Sequence, residues 1–224
     1  APLLQRHKVK LSAALACVRK CKQAKSTGEA RRVWGQASFE PLTGRVEMCR
    51  SLNWATLHPF LEGGAILGRG VANAGFLRAL LKADPFATYS FFLANQGQAD
   101  KLKASLESEF GVLAGRGAFK FALLLNLPES VQRETYHCFH LSDWISQFTA
   151  LARLRNYLAE DIFPITGVTH SLSYARYAPA FLGHLWPGVT ERDAIVATSA
   201  CGAAVVERAF ASARDAASAM VDGR

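Results

Sequence analysis

No stretch of this 224-residue chain comes near the roughly 20 consecutive apolar residues that a membrane-spanning helix needs. That absence points to a soluble, cytoplasmic protein. Cysteines are few and scattered. The five, Cys17, Cys21, Cys49, Cys138 and Cys201, form neither an even disulfide framework nor two pairs at zinc-ligand spacing. Reduced thiols in a reducing compartment, with no metal, are the simplest reading. The apolar run from Leu11 is too short, and too soon followed by basic residues, to be a signal peptide. The phosphate-binding patterns G-x-G-x-x-G and G-x-x-x-x-G-K-[ST] are missing, as is the G-x-S-x-G of a hydrolase nucleophile. A nicotinamide-dependent, P-loop or serine-hydrolase assignment has no foothold.

The body of the chain also lacks any excess of charge. Net charge is +8, yet residues 1–32 hold nine Lys or Arg against one acid, Glu29. The remainder carries 17 basic and 17 acidic residues. Phosphate-backbone binding needs clustered cations. A neutral body with a basic arm argues against a nucleic-acid partner. The arm, residues 3–25, reads as an amphipathic helix with Leu4, Leu11, Leu15 and Val18 on one side and Lys8, Arg19, Lys22 and Lys25 among the rest. Such a helix either docks on its parent protein or makes peripheral contact with an anionic membrane through residues 1–25. Residues 26–50 show turn residues and short alternation, with a hairpin expected around Pro41 to Gly44.

From Ser51 onward the pattern is regular. Apolar strands are expected at 54–58, 88–94, 119–126, 135–140, 163–169 and 194–198. Helices are expected over Val71–Lys82, Gln98–Phe110, Asp143–Leu158 and from Cys201 to about Met220. Strands apolar on both faces that alternate with helices predict an α/β fold, a doubly wound parallel sheet of Rossmann-like type over residues 51–224. In such sheets ligands bind beyond the C-terminal strand ends. His58, His140, His170 and Ser199 fall there.

Four segments carry candidate chemistry. In "EGGAILGRG", Gly63, Gly64, Gly68 and Gly70 either let bare backbone approach an anion at a helix N-terminus or simply make a tight turn. In "FHLSDW", Ser142 or Asp143 can cap the following helix. His140 with Asp143 can also serve acid–base work or bind sugar hydroxyls. Ser199 in "AIVATSACG" is most simply an N-cap. "FPITGVTHSLSY" runs as a buried strand and stops at Thr169-His170-Ser171. His170 is either a ligand-facing residue or a polar plug at the top of the sheet.

The order of these segments, a strand with the "EGG" loop and a helix, then "FHLSDW", "PITGVTHSLSY" and "DAIVATS" with its helix, resembles the N-terminal half of retaining GT-B glycosyltransferases. The group is family four together with the glycogen synthases, and the resemblance spans about Trp54 to Ala213. It implies transfer of a sugar from a nucleotide-sugar donor to an unknown acceptor, with no cofactor beyond that donor substrate. Gly63 and Gly64 would face the donor diphosphate, His170 the transferred sugar and Asp143 the sugar pocket, making His170 and Asp143 the catalytic candidates. His140 and Ser171 would contribute to substrate binding. Glu62 stands where the glycogen synthases carry a lysine, which counts against a glycan-synthase specificity. The resemblance also implies that a C-terminal donor-binding domain is missing from this chain, so that the isolated piece would be inactive. The alternative is a non-catalytic Rossmann-like module that binds a phosphorylated ligand or a protein.

Overall fold

A computed structural model describes residues 52–61, 68–170, 172, 177–185 and 188–221. Six strands form one sheet: β1 (Asn53–Thr56), β2 (Thr88–Leu93), β3 (Phe119–Leu123), β4 (Cys138–Leu141), β5 (Ile165–Thr169) and β6 (Ala194–Ala197). Their order is β3-β2-β1-β4-β5-β6, and every neighbouring pair is parallel. The chain thus winds outward from β1 to β3, returns to the middle, and winds outward again from β4 to β6. This is the doubly wound, Rossmann-like α/β fold expected from the sequence.

Strand periodicity explains the two layers. Trp54, Tyr89, Phe91 and Leu93 point to one face. There they meet Leu77 and Leu81 of α1 (Gly68–Ala83), Leu102 and Leu106 of α2 (Gln96–Glu109), and Leu113 of α3 (Gly111–Gly115). Ala55, Phe92, Phe139, Leu141 and Ile165 point the other way. They pack on Val131 of α4 (Leu127–Arg133) and on Trp144, Phe148 and Leu151 of α5 (Trp144–Leu158). Side chains alternate across a strand, so a strand clad on both faces must be apolar throughout. β2, buried from Tyr89 to Leu93, is the clearest case. On the outer flank, Tyr177 of α6 (Tyr177–Ala180) and Phe181 pack on Ala213 of α7 (Ala200–Val221).

Several expected boundaries are corrected. The strand expected at 119–126 ends at Leu123, because Leu124–Asn126 forms a 3-10 turn leading into α4. Pro128 lies in the first turn of α4, where its missing N–H costs nothing. The strand expected at 54–58 ends at Thr56, the one at 135–140 begins at Cys138, the one at 163–169 begins at Ile165 and the one at 194–198 ends at Ala197. The first helix begins at Gly68 rather than Val71 and the second at Gln96 rather than Gln98, where the Asn95 side chain caps it through the N–H of Gln98. Asp143 occupies the N-cap position of α5 but makes no side-chain capping bond. Ser199 does cap: its Oγ accepts the N–H of Gly202 at 3.0 Å.

The basic arm, the hairpin around Pro41 to Gly44, and Gly63, Gly64 and Ser171 lie outside the described residues. No helix among the described residues is long and apolar enough to cross a membrane.

Candidate functional site at the crossover between β1 and β4

In a doubly wound sheet the connections from two adjacent central strands leave in opposite directions, and a crevice opens between them. Here those strands are β1 and β4. A cavity of about 150 Å³ lies at their C-terminal ends, lined by His58, Phe60, Arg69, Gly70, Asn73, Ser142, Asp143 and Ser146. His58 and Phe60 come from the segment after β1, and Arg69, Gly70 and Asn73 from the first turns of α1. Ser142, Asp143 and Ser146 come from the end of β4 and the start of α5.

The segment after β1 is held in a tight conformation. Phe60 has φ of 59°, left-handed for a bulky residue, and the N–H of Leu61 closes a three-residue turn on the carbonyl of Pro59 at 2.6 Å. Burial of the Phe60 ring against Trp54, Phe76 and His140 offsets the local strain. His58 is fixed by the same segment. Its N–H donates to Thr56 Oγ1 at 3.3 Å, and its Nδ1 accepts the N–H of Ser142 at 3.4 Å. That second bond stitches the ends of β1 and β4 together across the crevice. Burial lowers the His58 pKa to about 4, with Asp143 opposing and Arg69 adding to the shift.

His140 sits below the cavity and does not line it. Its Nδ1 lies 2.8 Å from Thr166 Oγ1, and Phe76 stacks on its ring with centroids 4.3 Å apart. Nε2 is buried and has no hydrogen-bond partner among the described residues. Burial, helped by the neighbouring His58 and His170, lowers its pKa to about 4. His140 is therefore an uncharged imidazole sealed from solvent by an aromatic lid.

His170 follows the last residue of β5 and is half-buried. The strand end beneath it is pinned to β6: Thr169 Oγ1 accepts the N–H of Thr198 at 3.3 Å, and Thr198 Oγ1 donates to the Thr169 carbonyl at 3.2 Å. His170 Nε2 lies 3.1 Å from Asn73 Oδ1, which ties β5 to the helix across the crevice. Burial lowers the His170 pKa, against the pull of Asp143 and together with Arg69. Asp143 has 4% of its side chain exposed and meets Arg69 Nη1 at 3.5 Å, while 41% of the Arg69 side chain is exposed. The charges of Arg69 and Asp143 cancel. The crevice is thus polar, close to neutral, and rich in hydrogen-bonding groups that are uncharged at pH 7.

Of the residues named from the sequence, Asp143 lines the cavity, His140 lies below it, and His170 stands at the end of β5 bonded to Asn73 of the cavity wall. The sequence reading missed Arg69 and Asn73. These stand at i, i+4 at the start of α1, a spacing that puts both on one helix face. That spacing, directly after the glycine-rich loop, was the available signal. Among the described residues no group of His, Cys, Asp and Glu could hold a metal ion. No protein-family model, no curated protein and no solved structure matches this chain.

Proposed function

We propose that this domain is the acceptor-side half of a retaining glycosyltransferase, which moves a sugar from a nucleotide-sugar donor to an acceptor. One observation carries the reading. Uncharged imidazoles and one internally balanced Arg–Asp pair meet at the strand crossover, where doubly wound sheets bind ligands. Sugar hydroxyls both donate and accept hydrogen bonds, and neutral imidazoles do the same without the desolvation cost of a charge. The order of segments in the sequence supports the same class.

In this reaction class the protein holds the sugar and stabilises the departing diphosphate. His170, joined to Asn73, would bond a hydroxyl of the transferred sugar, and Asp143 would orient it from the opposite wall. Gly63, Gly64 and the cationic Arg69 would face the diphosphate side. The test uses the natural polypeptide. Transfer of radiolabelled sugar from UDP-, GDP- and ADP-linked donors is measured for wild type and His170→Ala. A turnover loss of about 10²-fold or more, with thermal stability unchanged, is the expected result. Absence of donor turnover with all three nucleotides would sink the assignment, as would an unaffected His170→Ala.

A second reading has one observation in its favour. α1 begins at Gly68, and Arg69 in its first turn is half exposed, an arrangement that suits an anion. A non-catalytic module for a phosphorylated ligand would bind nucleoside diphosphate through Arg69 and show no turnover in the same assay.

A further inference from the structure

Asn73 is the odd residue in the buried stripe of α1, which otherwise consists of Leu77 and Leu81. It is 7% exposed, and apolar packing has no use for an amide at that position. Its Oδ1 is 3.1 Å from His170 Nε2. An amide oxygen only accepts, so the ring proton of His170 sits on Nε2 and the lone pair on Nδ1. His58 is fixed in a complementary sense. Its Nδ1 accepts the Ser142 N–H, which leaves Nε2–H as its donor.

His140 is not fixed in this way: its Nδ1 lies 2.8 Å from Thr166 Oγ1, a hydroxyl that can donate or accept there and that also neighbours the Phe139 carbonyl and Cys138 Sγ, each at 3.4 Å. Its Nε2 is buried and unpartnered among the described residues. The fold therefore sets where the proton sits on two imidazoles, His58 through a backbone N–H and His170 through an amide. Only the amide is a helix side chain that packing did not call for.

We infer that Asn73 is a positioning residue: it locks His170 in the Nε2–H form, which leaves Nδ1 as the ring atom that would accept from a ligand hydroxyl. The inference deepens the proposed sugar site and rests on that reading for the identity of the hydroxyl, though not for the proton placement. The charged and titratable groups facing His170 are Arg69 from α1, Asp143 from the turn before α5, and His140 from β4. Arg69 and Asp143 act on it with opposite sign, and His140 is uncharged above about pH 4. Asn73, neutral and in direct contact, is then the group that decides which nitrogen carries the proton.

The test needs no substrate. The full chain is labelled with 15N-histidine, and long-range 1H–15N correlations are recorded at pH 7.5, with His170 assigned by its loss in His170→Gln. The expected result is a protonated Nε2 and an unprotonated Nδ1 at His170. Asn73→Ala should mix the two forms. Asn73→Asp should keep the Nε2–H form and raise the His170 titration midpoint by about 1 unit or more, because a carboxylate now faces the ring. A wild-type His170 that carries its proton on Nδ1 overturns the inference, and so does a nitrogen pattern unchanged in Asn73→Ala. Should Asn73→Ala fail to fold, the wild-type pattern and the Asn73→Asp titration decide. A glycosyl-transfer assay that fails would leave this result standing.

Discussion

Two Arg–Asp pairs sit at opposite ends of the same sheet, and they are built for different purposes. At the N-terminal strand ends, Arg155 reaches from the last turn of α5 to Asp193, which immediately precedes β6. The pair is bidentate, at 2.7 and 3.0 Å, with 0% and 1% of the two side chains exposed. Arg155 also donates to the carbonyls of Phe163 and Gly188, and Asp193 accepts the N–H groups of Ile165 and Thr190. The clasp thus joins α5, β5 and the entry to β6 through six hydrogen bonds. At the C-terminal strand ends, Arg69 and Asp143 meet at 3.5 Å, with Arg69 half exposed and Asp143 buried. A buried, fully bonded pair is worth little when formed but is very costly to break. A loose pair with a half-exposed arginine costs less to break, and its arginine is free to rearrange around a ligand. The same two residue types give a rivet at one end and an adaptable site at the other.

Acid should separate the two ends most strongly. His140, on β4, and His184, bonded to Trp144 at the start of α5, both belong to the cleft end. Burial lowers both to about 4. The unfolded chain takes up a proton on each as pH falls through about 6.5, whereas the folded chain refuses it until about pH 4. Stability is therefore full above pH 6.5, falls through that window and levels off below it. The loss is about 2–3 kcal/mol for each of the two, and His58, lowered to about 4 by the same cause, adds a like amount. Urea unfolding at pH 7 and 4.5 measures it. Hydrogen exchange at pH 5 should show β4 and the start of α5 opening before the Arg155 end, and the reverse order would break the comparison.

Next in size, Arg155→Met strands the buried Asp193 carboxylate and should cost about 3–5 kcal/mol in chemical denaturation. A loss under about 1 kcal/mol would show that the clasp is no rivet. Gly167 in β5 tests the packing between the two ends. A Cβ there would lie 2.9 Å from Trp144 Cε3 and 3.2 Å from the Leu141 carbonyl oxygen, and that backbone cannot easily give way. Gly167→Ala is expected to destabilise by about 1–3 kcal/mol, read as a lower melting temperature. Smallest is Arg69→Gln, with an expected change of about 1 kcal/mol, since the pair is loose although the Asp143 carboxylate is buried. If its melting temperature fell as far as that of Arg155→Met, the cleft pair would be structural after all.

How much of this was legible beforehand differs between the two ends. The cleft histidines could be located from sequence because each ends an apolar strand, and the doubly wound pattern says where strand ends gather. His58, His140 and His170 were found that way. Arg69 and Asn73 were not, because an arginine and an asparagine at the start of a helix read equally well as solvated surface. The clasp was invisible. Arg155 sits within the strongly periodic run of α5, and Asp193 lies 38 residues away in a loop; nothing local marks them as partners. Boundary errors have a similar origin. The apolar run Phe119 to Leu127 looks like one strand, and only the 3-10 turn at Leu124–Asn126 divides it.

By itself the sequence determined the class of the fold. Side-chain alternation and helical periodicity are properties of a few consecutive residues, and strands apolar on both faces admit few architectures other than a covered parallel sheet. The tertiary structure decided which strand ends became neighbours, β1 beside β4, and therefore that His58 and Ser142, 84 residues apart, share a hydrogen bond. It also decided the charge state of the histidines, because desolvation depends on what the rest of the chain stacks over a ring. Phe76 closes over His140, Trp144 bonds His184, and Asn73 meets His170. Burial and hydrogen-bond partnership are long-range properties, and the spacing of residues along a chain does not encode them directly.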